Sequence, residues 1–205
     1  MDKLQNKQEL LAKLTALTSV PDDNNIFLKE KVKKALLKSP ELLYALHNPE
    51  LESELFNDDG TINYEGDWTM YYGKEGNIHP YFFLPETQDR VRNHLCFKTD
   101  FTDIPKYNQV MCYMNVTFLV MVDVKDAIDQ LTGITRHDLI DSIIRERFNW
   151  SNIFGAHCKI VSDKESFTDS NYIIRTITLE QETTNNITGI RNGKRQVINK
   201  QPWTS

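Results

Sequence analysis

The chain has no run that approaches the ~18 consecutive apolar residues of a membrane-crossing helix, and no apolar core follows its opening Met1-Asp-Lys-Leu-Gln-Asn-Lys. Neither a membrane span nor secretion is expected. Cysteine is scarce, and Cys96, Cys112 and Cys158 are odd in number and form no CxxC pair. That argues against a disulfide framework and for reduced thiols, with Cys112 and Cys158 serving as small apolar fillers on strands. Without export, the glycosylation-like triplets at Asn115, Asn149 and Asn186 carry no weight. Glycine-rich phosphate loops are missing too, because Gly60, Gly66, Gly73 and Gly76 lack a strand–helix context. None of His47, His79, His94, His137 and His157 has a partner at ligand spacing, and Asp58, Asp59, Glu65 and Asp67 lack the alternating order of a calcium loop. The expectation is no metal, no cofactor and no catalytic residue.

Carboxylates run out after Glu182. Residues 183–205 carry Arg191, Lys194, Arg195 and Lys200, a charge of +4 that leaves −9 on the remainder of a chain whose net charge is −5. An acidic body repels nucleic acid over most of its surface, so the basic tail is the candidate for acidic partners. With 205 residues, 40% of them apolar and 26% charged, the chain fits one soluble domain with appendages.

Leucines at helical spacing predict a first helix over residues 3–18, ended by Val20-Pro21. Asp22-Asp-Asn-Asn offers caps for a second helix over 26–38, and Ser39-Pro40-Glu41 starts a third that carries 42–46. The lysines of the second helix read as a solvated face, since Glu30 is interleaved. Residues 48–77 form an irregular connection rich in Gly, Asp and aromatics. His79-Pro-Tyr-Phe-Phe-Leu-Pro85 suits an edge strand, 86–94 a turn or two of helix, and 95–101 a further strand.

The longest alternating run occupies 108–123. Val110, Cys112, Met114, Val116, Phe118, Val120 and Val122 share one face, expected to be fully buried, and the other face is expected to be partly covered. At ~3.3 Å per residue this strand spans on the order of 45 Å, long enough to overhang a small domain and pair with a neighbour. Thr135 and Asp138 have capping-box spacing. The helix that follows puts Leu139, Ile140, Ile143, Ile144 and Phe148 on one face and Arg136, Asp141, Arg145, Glu146 and Arg147 on the other. Strands are expected over 158–161 and 172–179 around a long hairpin loop at 162–171, and a flexible arm over 183–205. Arg136-His137-Asp138 has the makings of an acid–base triplet, but Asp in a first helical turn is favoured by the helix dipole alone. Whether Glu180 and Glu182 join Asp123 in a carboxylate cluster is open.

The fold class is therefore α+β: a small antiparallel or mixed sheet with one packed amphipathic helix, preceded by N-terminal helices. Three stretches carry a resemblance over residues 78–180: Thr117-Phe-Leu-Val-Met-Val, Thr132-Gly-Ile-Thr-Arg-His-Asp-Leu-Ile-Asp-Ser-Ile-Ile, and Tyr172-Ile-Ile-Arg-Thr-Ile-Thr-Leu. With Pro80-Tyr-Phe-Phe-Leu-Pro and Leu95-Cys-Phe-Lys-Thr before them, they resemble the neck and tail-completion (tail-terminator-like) connector proteins of tailed bacteriophages. The N-terminal helices depart from the compact terminators. The resemblance implies a homo-oligomeric ring around the DNA channel, in contact with portal, neck or tail-tube proteins, in a virion assembled in the host cytoplasm. Double-stranded DNA would pass through without sequence-specific binding. Arg136, Arg145, Arg147, Trp150 and Arg175 in the folded unit, with Arg191, Lys194, Arg195 and Trp203 in the arm, are the candidate subunit or partner interface. A non-virion module that binds a partner by strand addition is the alternative.

Overall fold

The computed structural model describes residues 6–19, 24–83, 91–103, 111–154, 157–167, 171–184, 189–191 and 194–196. Helices α1 (Lys7–Ala16), α2 (Asn24–Leu36), α3 (Pro40–Leu46) and α4 (Glu52–Leu55) precede a sheet, and α5 (Arg136–Phe148) interrupts it. Strands β1 (Ile78–His79), β2 (His94–Asp103), β3 (Met111–Asp123), β4 (Cys158–Phe167) and β5 (Tyr172–Thr184) lie in the order β1-β2-β3-β5-β4. β1 runs parallel to β2 and all other neighbours are antiparallel, so the sheet is mixed. β3 and β4 therefore point the same way, joined across the helical layer by α5, and β5 folds back between them. The expected α+β class holds, and no helix among the described residues is long and apolar enough to cross a membrane.

Period-two patterning decides which face is which. Met114, Val116, Phe118, Val120 and Val122 of β3, Leu95 and Phe97 of β2, and Ile177 and Leu179 of β5 are buried in one core with α2, α3 and α5. Phe148 of α5 meets Phe118 at 5.2 Å and stacks on Phe154 at 5.6 Å. On the second face Cys96, Met121, Tyr172 and Ile174 pack with Phe83 at one end. Elsewhere it carries Lys98, Asn115, Thr117, Thr176, Thr178 and Glu180. The expected contrast of one buried and one partly covered face is what forms. All three cysteines are buried, and burial pushes the thiols of Cys96 and Cys158 up to about 12.

Three sequence expectations need correction. The long strand does not overhang: β5 matches β3 residue for residue, from Met111 opposite Thr184 to Asp123 opposite Tyr172. The expected hairpin loop at 162–171 is largely strand, because β4 continues to Phe167 after a bulge between Ile160 and Ser162. An edge strand needs apolar residues on one face at most, so its Asp and Ser content misleads. The strand expected at 79–85 shrinks to Ile78–His79, with 84–90 outside the described residues, and His94 opens β2. Within 183–205, expected as a flexible arm, β6 (Gly189–Arg191) and β7 (Lys194–Gln196) pair in a short separate hairpin.

The connection at 48–77 is built from side chain-to-backbone bonds. The Trp68 indole donates to the Glu54 carbonyl at 2.9 Å and the Tyr71 hydroxyl to the Leu51 carbonyl at 3.2 Å. Gly66 is needed there, since a Cβ would lie 2.0 Å from the Glu54 oxygen. Asp59 and Asp67 accept from the backbone N–H groups of Thr61 and Thr69, the behaviour of turn formers.

Candidate interaction surface and carboxylate clusters

The first turns of α5 stand between two groups of carboxylates, each built around an arginine. The side facing α3 holds Arg136. Its side chain is 4% exposed and lies 3.2 Å from Asp126 and 3.2 Å from Asp129. Asp129 accepts from the Tyr44 hydroxyl at 2.9 Å and from Thr132 Oγ1 at 2.7 Å. Burial alone would raise the Asp129 pKa, but the hydrogen bonds from Thr132 and Tyr44 and the charge of Arg136 outweigh it and leave the carboxyl below the usual range. Asp126 is met by Asn93 Nδ2 at 2.8 Å and His47 Nδ1 at 2.7 Å. Asn93 continues the seam through its carbonyl to Asn77, and Asn77 Oδ1 accepts from Asn48 at 2.7 Å. A chain of buried polar groups thus ties α3 and the 48–77 connection to the sheet and to α5.

The side facing β4 and β5 holds Arg175. Its guanidinium donates to Asp163 through Nε at 2.8 Å and Nη2 at 3.0 Å, and to Asp138 through Nη1 at 2.6 Å. Asp141 lies 3.4 Å from Arg175 and 3.0 Å from Arg145, and Glu165 lies 3.7 Å from Arg175. Burial, reinforced by the neighbouring Asp163, pushes the Asp141 carboxyl up, and neither of its oxygens has a hydrogen-bond partner. The hydrogen bonds with Asp163 come first among the causes that raise the Arg175 pKa. Asp138 also accepts from the Thr135 hydroxyl, so the anticipated capping pair forms between side chains, and Thr135 makes no cap bond to a backbone N–H.

The candidate residues therefore divide. Arg136 and Arg175 are engaged inside the chain, and Arg136 is withdrawn from the surface altogether. The supposed polar face of α5 is wrong at Arg136 and Asp141, both buried with His137. The cause is the loop carrying Asp126 and Asp129 on one flank and β4 with Asp163 on the other, neither of which the helix pattern contains. Arg145 remains about half exposed and Arg147 partly so. Trp150 is 67% exposed and adopts φ 56°, a conformation a bulky residue seldom holds, fixed by its N–H to the Cys158 carbonyl. Arg191, Lys194 and Arg195 belong to the β6–β7 hairpin, and Trp203 lies outside the described residues. Asp123 accepts from the Lys125 N–H at the end of β3, whereas Glu180 pairs opposite Asn115, eight register positions away. At ~3.3 Å per residue that is about 26 Å, so Asp123, Glu180 and Glu182 form no cluster.

The partners that sequence reasoning missed are Asp126, Asp129, Asp163 and Glu165. Asp163 and Glu165 sit two apart, the spacing that puts both on one face of a strand, but that signal exists only once 162–167 is read as strand. A family model, described as YomW, matches residues 39–181. The chain belongs to the YomW family. That family name is associated with Bacillus phage and suggests a phage-related protein. The match starts just before α3 and ends within β5, and so takes in both arginine clusters and the connection at 48–77. No curated protein matches the chain.

Proposed function

We propose that this protein is a structural subunit of a phage virion that acts by assembly and without catalysis. In this reading it joins head to tail as a neck or tail-completion ring around the DNA channel. The observation that carries the reading is the pair of open strand edges. Among the described residues β4 pairs only with β5, and β2 beyond Cys96 pairs only with β3. These two edges run antiparallel to one another, so copies placed side by side continue the sheet by setting β4 of one against β2 of the next. Such a head-to-tail contact closes into a ring when the rotation per subunit allows. The phage association of the family and the acidic body, which lines a DNA channel without gripping it, support the same reading. Trp150 and the β6–β7 hairpin are then contacts to neighbouring subunits or to portal and tail-tube proteins.

Light scattering of the full chain over a concentration series, followed by negative-stain imaging, tests it. Closed rings with a hole of duplex width are expected. Val161→Lys, at an exposed position on the β4 edge, should shift the population to monomer, and deletion of 185–205 should weaken assembly with the fold intact. The same open edge favours a second reading, a module that binds one foreign strand. A strict monomer at all concentrations that pairs its β4 edge with a partner peptide would select that alternative.

A further inference from the structure

Beside the Arg175 ion pairs, one buried side chain is left unanswered. The His137 imidazole is only 6% exposed, and its Nδ1 has no hydrogen-bond partner. Its Nε2 faces Glu165 Oε2 at 3.5 Å and Asp138 Oδ2 at 3.6 Å. Both separations exceed a good N–H···O bond. They match the spacing of two ligands on one ion: at 2.0–2.2 Å from a tetrahedral zinc, ligand atoms stand about 3.4 Å apart. The three donor atoms all lie within 4.8 Å of one another. Glu165 is 57% exposed, so its carboxylate is free to close the remaining gap. Charge points the same way. Asp138, Asp141, Asp163 and Glu165 bring four negative charges to a site where Arg145 and Arg175 supply two positive ones.

We propose that His137 Nε2, Asp138 Oδ2 and Glu165 Oε2 form a binding site for a zinc-class divalent cation, with a fourth position open to water. The mixture of one imidazole and two carboxylates suits a first-row ion such as Zn²⁺ or Mn²⁺ better than Mg²⁺, which prefers an all-oxygen shell. Arg175 holds Asp138 through Oδ1 and leaves Oδ2 to the ion. Oδ2 also accepts from Thr135, and a carboxylate oxygen has lone pairs for both. Bound there, the ion pins the first turn of α5 to the β4 edge strand.

Calorimetric titration of the full chain with Zn²⁺ near neutral pH tests the site. One equivalent is expected to bind, and zinc is expected to raise the melting temperature, reversibly on adding EDTA. His137→Gln and Glu165→Gln should each weaken binding at least roughly tenfold, and His157→Ala should leave it unchanged. Because Glu165 is largely exposed, Glu165→Gln keeps the test readable even where His137→Gln fails to fold. Three results would each overturn the proposal. They are no binding at millimolar zinc, undiminished binding in folded Glu165→Gln protein, and a thiolate-to-metal charge-transfer band with Co²⁺, which would put the ion on a cysteine.

Discussion

The clusters around Arg136 and Arg175 use the same residue types to opposite ends. Around Arg136 the carboxylates are met by further polar side chains, Tyr44, His47, Asn93 and Thr132. Around Arg175 carboxylates outnumber the cations and two of them reach solvent, Asp138 at 43% and Glu165 at 57% exposure. The first is a seam that holds the N-terminal helices to the sheet. The second sits beside the edge strand and leaves negative charge at the surface. Saturation of acceptors, more than burial of the arginine, separates a structural ion pair from a surface that still has chemistry to offer.

The contrast predicts unequal costs. Arg136→Ala leaves Asp126 and Asp129 without their cation, and breaking a buried pair in this way costs about 3–5 kcal/mol. A melting-temperature drop on the order of 10 °C follows for a chain of this size, and a drop no larger than that of Arg175→Ala would erase the distinction. Acid should first attack the partly covered face of the sheet, where His79 and His94 pack against Phe83. Burial holds His79 near a pKa of about 4 and His94 near about 3, and their rings meet at 3.1 Å. Both lie below the ordinary 6.5, so the unfolded chain takes up protons that the folded chain refuses. Stability is therefore complete above about pH 6.5 and drains away as pH falls toward the folded values, by roughly 3–5 kcal/mol for each histidine. Depressed Asp129 adds to the loss at the acid end, as pH drops through its folded pKa. Urea melts of His94→Phe should show a flatter slope between pH 6.5 and 4; an unchanged slope would locate the acid sensitivity elsewhere.

Arg175→Ala comes next, at about 1–3 kcal/mol, since its charged hydrogen bonds are lost but the partners are near solvent. Asp141→Asn should be the mildest and have the opposite sign. A carboxyl whose folded pKa is raised favours the protonated form, so its contribution opposes folding once pH exceeds the unfolded pKa. A neutral amide should raise the melting temperature slightly at pH 8 and not at pH 4. Equal effects at the two pH values would mean that packing, and not charge, governs Asp141.

Alternation in 111–123, the amphipathic stripe of α5, Pro40 at the start of α3 and the pairing of 172–179 were legible because each rests on a local period or a single cap. Such signals fix element type, and with it the α+β class, the buried face of β3 and the burial of the cysteines. The strand over 162–167 was not legible, because an edge strand draws its hydrogen bonds from β5 and tolerates Asp and Ser in its own text. Nor was the fate of the arginines. A helical wheel puts Arg136 and Asp141 on the polar side of α5, and only the approach of the Asp126–Asp129 loop on one flank and of β4 on the other encloses them. By itself the sequence determined the elements and their apolar faces, since those depend on neighbours one to four residues away. Tertiary structure alone decided which charges meet, because register and crossover bring together groups such as Arg175 and Asp138, 37 residues apart.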